Sequence, residues 1–253
     1  MRVGLIGPGY WGTKVLQNLE AHPLVEDVTV ADKDHGYGHL LADKGLTHVF
    51  VTTPVVTHYD ICHELIRNGK HVMCEKNLVP SYYQTEMLYL HAAYAGVKLF
   101  VDFIFSFNPV LGLVAEDLKA NPLPPCADIR VKMLQDGKLR GEHVLSMLGT
   151  HAMSVLGTVT DISNVKLVYR RYSVPQDDDK VMHLGYVTPN DVILRIDISL
   201  LHGEKERTLQ VADRTLVHLD HPNGIGRMID LFLDEGDNIQ LALDVARALE
   251  QAR

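Results

Sequence analysis

Three cysteines in 253 residues are too few and too scattered to staple a fold. Cys62, Cys74 and Cys126 form no C-x-x-C pair, which argues against a zinc site or a redox dithiol and fits a reducing cytoplasm. Basic residues are also in deficit. Twenty-four Lys and Arg face thirty-two Asp and Glu, for a formal net charge of −8, and such a surface argues against nucleic acid as the main partner. Aromatics are scarce at 7%, with a single tryptophan, Trp11. Long apolar runs are missing altogether, so no membrane span is expected. The first twelve residues, MRVGLIGPGYWG, hold too short and too glycine-broken an apolar run for a signal peptide. Repeats and low-complexity tracts are absent, and QDDDK (176–180) reads as a solvated loop.

What is present is an ordinary globular mixture, 46% hydrophobic and 22% charged, with enough apolar side chains for a sizeable core. In the first hundred residues short apolar runs alternate with helical patterns. RVGLI, DVTVAD, HVFVTTP, HVMCE and KLFVDF read as strands. YWGTKVLQNLEAH, HYDICHELIRNGK and 81–94 read as helices. That rhythm predicts a parallel sheet with helices on both faces. After Asn108 the rhythm changes. A helix, PVLGLVAEDLKAN, leads to the stiff turn PLPP. A strand DIRVKML, a helix over 144–156 and the runs NVKLVYRRY, VILRIDISL, RTLQVAD and TLVHLD follow, and NIQLALDVARALEQA closes the chain as an amphipathic helix. In VILRIDISL, Val192, Leu194, Ile196 and Ile198 fall on one face of the strand and Ile193, Arg195, Asp197 and Ser199 on the other. The expected fold is α/β. A reduced Rossmann dinucleotide-binding domain over 1–101 precedes an α+β domain over 102–253, whose sheet is open and mostly antiparallel.

The chemistry begins at GLIGPGYWG. Gly7-x-Gly9-x-x-Gly12 follows a strand and opens a helix, the context that gives this spacing its meaning. Gly7 permits the tight turn, Gly9 lets the backbone approach a pyrophosphate, and Gly12 lets helix and strand pack closely. The helix N-terminus supplies free N–H groups and a positive dipole end. Tyr10 and Trp11 lie inside the same loop and join the candidate cofactor contacts. Asp32 ends the second strand about twenty residues on, where a carboxylate can accept both ribose hydroxyls. A 2′-phosphate would meet that carboxylate, so NAD is expected over NADP, with adjacent Lys33 pulling the other way.

With the glycine loop in place, TTPVVTHYDICHELIRNGKHVMCEKNLVPS resembles the glucose–fructose oxidoreductase/inositol dehydrogenase (Gfo/Idh/MocA) family. Thr53-Pro54, His58, Gly69-Lys70-His71-Val72 and Glu75-Lys76 fall on its pattern. FVDFIFSFNP and SMLGTHAMSVL resemble its entry into the second domain and the helix carrying its Asp-x-x-x-His. The resemblance implies a nicotinamide-dependent oxidoreductase acting on a sugar, polyol or nucleotide sugar. It places Thr53, Pro54, His58 and Glu75 on the cofactor side. Lys76 would stand near the reacting carbon and His151 would be the general base, and an open sheet face would serve as a homodimer interface. The chemistry is coherent: alcohol oxidation needs a proton acceptor, and a nearby ammonium stabilises developing alkoxide charge.

Three departures stand against the pattern. Asn77 replaces the proline after the lysine, whose preceding bond is often cis. Met147 replaces the aspartate one helical turn before His151; His143, a further turn back, reads as a surface residue. The stretch between Asp32 and HVFV holds one short helix at most, so a strand of the usual dinucleotide fold is missing. These departures keep two other functions open, a relative that binds nucleotide without redox catalysis and a non-redox lyase or epimerase.

Overall fold

The computed structural model describes residues 1–136, 143–172, 180–234 and 236–253. The chain divides into two compact units. The first is Met1–Asp102 with Asn223–Ala242, and the second is Phe103–Pro222 with Leu243–Arg253.

Five strands make the sheet of the first unit: β1 Arg2–Ile6, β2 Asp27–Ala31, β3 Leu46–Val51, β4 His71–Glu75 and β5 Leu99–Asp102. All pair parallel, in the order β2-β1-β3-β4-β5. Val3, Leu5, Val49, Val51, Val72, Cys74, Phe100 and Val101 are all buried, as a sheet covered on both faces requires. Helices α1 Tyr10–Glu20, α3 His58–Arg67 and α4 Tyr82–Ala95 supply the cover. Between β2 and β3 there is only the five-residue helix α2 Gly38–Ala42, the shortening expected from the sequence.

One helix of this unit was not expected. No element is read from the sequence between TLVHLD and NIQLALDVARALEQA, yet α7 Gly224–Leu233 forms there. Two glycines hide it from propensity arguments. Met228, Ile229 and Phe232 are fully buried, and the Phe232 ring meets His48, Phe50 and Phe100 at 5.3, 5.2 and 5.8 Å. Tertiary burial overrides weak local preference here.

The second unit carries a six-stranded sheet, β11-β10-β6-β9-β8-β7, from β6 Asp128–Asp136, β7 Lys166–Tyr172, β8 Val181–Val187, β9 Ile193–Ser199, β10 Leu201–Val211 and β11 Thr215–His218. Among the described residues every pairing is antiparallel except β6 with β9. β8 is a strand that is not read from the sequence. A Cβ at Gly185 would lie 2.1 Å from the Tyr169 ring on β7, so glycine leaves room for the cross-strand aromatic. The face of β9 bearing Leu194, Ile196 and Ile198 is sealed, and α6 Thr150–Val159 packs on β6 and β9. α5 Pro109–Ala120 packs on α6, and Tyr186 donates to the Ala248 carbonyl of α8 Ile239–Glu250 at 3.0 Å. The opposite face carries ion pairs, Arg130–Asp197 at 3.2 Å and Arg195–Asp128 at 3.3 Å. The helix expected over 144–156 is broken into a π segment, Leu145–Gly149, followed by α6. The loop expected at 176–179 lies outside the described residues.

Candidate active site

The first turn after β1 is the centre of the site. Gly7 has φ +91, a conformation L side chains rarely adopt, and a Cβ there would meet Thr53 Cγ2 at 2.8 Å. A Cβ at Gly12 would lie 2.2 Å from the Gly7 carbonyl oxygen and 2.6 Å from Thr52 Oγ1. Gly9 differs from both. It is the N-cap of α1, has φ −76, and a Cβ there would touch nothing within 4 Å. The turn is thus closed by packing at Gly7 and Gly12 and open at Gly9. Thr52, not anticipated from sequence, holds it: its hydroxyl lies 2.7 Å from the Gly7 carbonyl and 3.1 Å from that of Ile6. The order β2-β1-β3 puts this turn at the carboxyl end of the sheet where the winding reverses, the place where open α/β sheets take ligands. Open space before Gly9, at the N-terminus of an eleven-residue helix, fits a pyrophosphate.

The remaining residues of the loop line this end. Tyr10 is 82% exposed, and the Lys14 ammonium sits 4.4 Å over its ring. Trp11 Nε1 donates to Asp102 Oδ2 at 2.7 Å. Asp32 directly follows β2. Its Oδ1 accepts from the backbone N–H groups of Asp34 and His35, and lies 2.8 Å from His35 Nδ1. The hydrogen bond from the His35 ring, joined by the backbone ones, holds its carboxyl below the usual range. Thr53 and Pro54 follow β3, and Thr53 Oγ1 accepts from Thr57 at 2.8 Å.

His58 is wholly buried, and its nitrogens face backbone carbonyls: Nε2 that of Thr53 at 2.7 Å, Nδ1 those of Asn77 at 2.8 Å and Leu78 at 3.2 Å. The ring therefore ties the turn after β3 to the segment after β4. That segment contains the Lys76–Asn77 peptide bond, which is cis. Glu75, half-buried, ends β4 opposite Asp102 of β5. Burial pushes its carboxyl up to about 8. Lys76 pulls against that, and Asp102 adds to it. Asp102 itself is 3% exposed. Sequence reasoning passed over Asp102, although HVMCE and LFVD each end in a carboxylate, and adjacent parallel strands bring such ends together.

His151 lies in the second unit, on the first turn of α6, with its ring edge-on to Phe105 at 4.8 Å. Met147 sits within the π segment, its N–H bonded to the His143 carbonyl at 3.1 Å, and so the spacing of an uninterrupted α-helix does not carry over to Met147 and His151. His143 is exposed, and its Nδ1 accepts from Leu145 N–H at 3.1 Å.

Comparison with known proteins agrees with this geometry. Residues 1–103 match the Gfo/Idh/MocA group, described as an oxidoreductase family with an NAD-binding Rossmann fold. A dTDP-3,4-didehydro-2,6-dideoxy-α-D-glucose 3-reductase of Actinomadura kijaniata is 32% identical over 136 residues, covering 47% of this chain and 41% of that protein. An uncharacterised oxidoreductase of Synechocystis sp. is 23% identical over 255 residues, covering 83% of this chain and 69% of its own. The chain thus aligns with less than half the length of the first of these relatives. Among solved structures, KijD10, a 3-ketoreductase from Actinomadura kijaniata in complex with TDP-benzene and NADP, superposes with a TM-score of 0.83 at 20% identity, covering 100% of this chain and 96% of that one. UDP-N-acetylglucosamine 3-dehydrogenase GnnA from Acidithiobacillus ferrooxidans gives 0.83 at 17% identity, over 100% and 96%. These two establish the likeness of fold. Motif, fold and family match converge on residues 1–103, which match the Gfo/Idh/MocA oxidoreductase family with its NAD-binding Rossmann fold.

Proposed function

We propose that the protein is an NAD-dependent oxidoreductase that interconverts a hydroxyl and a keto carbon on a sugar or nucleotide-linked sugar. The observation that carries this is the glycine turn, which packing closes at Gly7 and Gly12 and leaves open at Gly9. Gly7, Gly9 and Gly12 receive the pyrophosphate, flanked by Tyr10 and Trp11. Asp32 accepts the ribose hydroxyls and disfavours a 2′-phosphate, so NADP is the weaker ligand. Thr53 and Pro54 line the nicotinamide side, with Glu75 at the strand end beside them. His58 acts from below by holding the backbone of both turns. When bound, the dinucleotide supplies the hydride acceptor or donor. Lys76 holds a positive charge for the developing alkoxide, and His151 takes the hydroxyl proton in oxidation or returns it in reduction. The substrate class is supported by the names of the relatives, a nucleotide-sugar 3-reductase and a UDP-sugar 3-dehydrogenase. The free cysteines suit a cytoplasmic setting, and the polar sheet face suits a homodimer.

Gly9→Val tests the reading cleanly, because its side chain meets open space and its φ of −76 suits valine. The variant should keep the wild-type melting temperature while NADH binding, read by calorimetry, is lost. Equal NADH affinity in wild type and variant would overturn the cofactor site. Lys76→Met should lower turnover about 10²-fold or more with nucleotide affinity little changed. A wild type that binds nucleotide but oxidises or reduces no sugar or nucleotide sugar would instead favour the binding protein that Asn77 and Met147 allow.

A further inference from the structure

We propose that Asp102 is a positioning residue for the cofactor turn, holding the Gly9–Gly12 backbone at the pyrophosphate through the indole of Trp11. The inference rests on the cofactor reading above and adds a residue that no motif names.

The geometry is specific. Trp11 lies in the first turn of α1, between the glycine that faces open space and the one that packs on Gly7. Its Nε1 reaches across 91 positions of sequence to Asp102 Oδ2 at 2.7 Å, short for an N–H···O bond and in the range of charge-assisted ones. Asp102 is the last residue of β5, two strands beyond β3, so the bond spans the carboxyl end of the sheet from the turn at β1. Its carboxyl is almost entirely shut away from water.

Such a residue is a poor device for stability alone. A carboxyl taken out of water is costly even when hydrogen-bonded, and an apolar pair of similar volume would join α1 to β5 as well or better. What a short directional bond adds is a fixed orientation. The indole has one donor, so the ring plane and the helix turn that carries it are set by where Oδ2 sits. An anion cradle of backbone N–H groups works only when those groups point at one place, and displacements of about 1 Å spoil such sites. Glu75 opposite Asp102 strengthens the case. Two strand ends place carboxyl groups side by side, and burial together with the Asp102 charge keeps the proton on Glu75, an arrangement that a purely structural end would avoid.

The sequence provides the reporter, since Trp11 is the sole tryptophan. The full chain is titrated with NADH and followed by quenching of Trp11 emission, with calorimetry for variants that lack the indole. Trp11→Phe keeps an aromatic ring and removes the donor; Asp102→Leu removes the acceptor; Asp102→Asn keeps an acceptor oxygen. Trp11→Phe and Asp102→Leu should each raise the Kd for NADH about tenfold, or roughly 1.4 kcal/mol. Asp102→Asn should fall between wild type and Asp102→Leu. Thermal melting separates the purely structural alternative, which lowers the midpoint and leaves Kd unchanged. Binding within about twofold of wild type in either Trp11→Phe or a folded Asp102→Leu overturns the proposal, as does an Asn variant as weak as the Leu one. Should Asp102→Leu not fold, Asp102→Asn takes its place, and binding within about twofold of wild type in that variant overturns the proposal. A wild type that does not bind NADH removes the cofactor reading and this proposal together, an outcome distinct from variants that bind as well as the wild type.

Discussion

In the parallel sheet of the first unit, the central strands are sealed at Val3, Leu5, Val49, Phe50, Val51, Val72 and Cys74, and the site's polar groups, Thr52, Glu75 and Asp102, stand where strands end. In the six-stranded sheet of the second unit, polar groups run along a whole face, with Arg130, Asp197, Arg195 and Asp128 paired across neighbouring strands. The difference follows from cover. A sheet with helices on both sides has no wet face, so its chemistry is confined to the edge where backbone N–H groups and loops emerge. A sheet covered on one side by its own helices alternates, and ion pairs on its other face are individually weak.

That contrast predicts a steep ranking of mutational effects. The largest belongs to Phe232→Ala. Its ring is wholly buried against His48, Phe50 and Phe100, and the cavity left by truncation should cost about 3–5 kcal/mol in denaturant unfolding. Gly12→Ala comes next, at about 3 kcal/mol, because its Cβ would collide with backbone at Gly7. A Gly12→Ala protein as stable as wild type would mean the turn is not packed as described.

Glu75→Gln should act in the opposite direction, and its effect should depend on pH. The folded protein holds the Glu75 proton up to about pH 8, whereas the unfolded chain releases it near 4.5. Between those values the folded state binds more protons, so stability falls as pH rises and levels off above 8. The glutamine variant escapes this loss. Its melting midpoint should exceed wild type by several degrees at pH 8 and match it near pH 4.5. A constant offset across that range would contradict the burial of this carboxyl.

The smallest effect is expected in the second unit. Lys205 and Asp220 pair at 2.9 Å with both side chains 52% exposed. Lys205→Ala should change stability by less than about 1 kcal/mol, and added salt should shrink that further. A larger loss would place this surface among buried contacts and erase the contrast between the two sheets.

Much of this molecule follows from local pattern. RVGLI and HVMCE are strands over the residues expected, α1 begins at Tyr10, and α5 at Pro109, because apolar period and glycine or proline punctuation act within a few residues. The glycine spacing and Asp32 at the end of β2 were legible for the same reason. Where a feature depended on a distant partner, sequence was silent. No strand is read from the sequence at Gly185, where room is left for Tyr169 opposite, and no helix at α7, where Phe232 finds three rings of the sheet. His58 falls on the cofactor side by resemblance, and its bonds to the carbonyls of two separate turns are invisible in the sequence. Asp102 reads as a strand end until Trp11, ninety-one positions away, donates to it. Sequence alone determined the periodicities and the glycine turn, since backbone sterics and hydrophobic pattern are properties of neighbours. Only the tertiary structure decided which buried polar groups hold that turn, because hydrogen bonds between distant residues form only once strand order has brought them within reach.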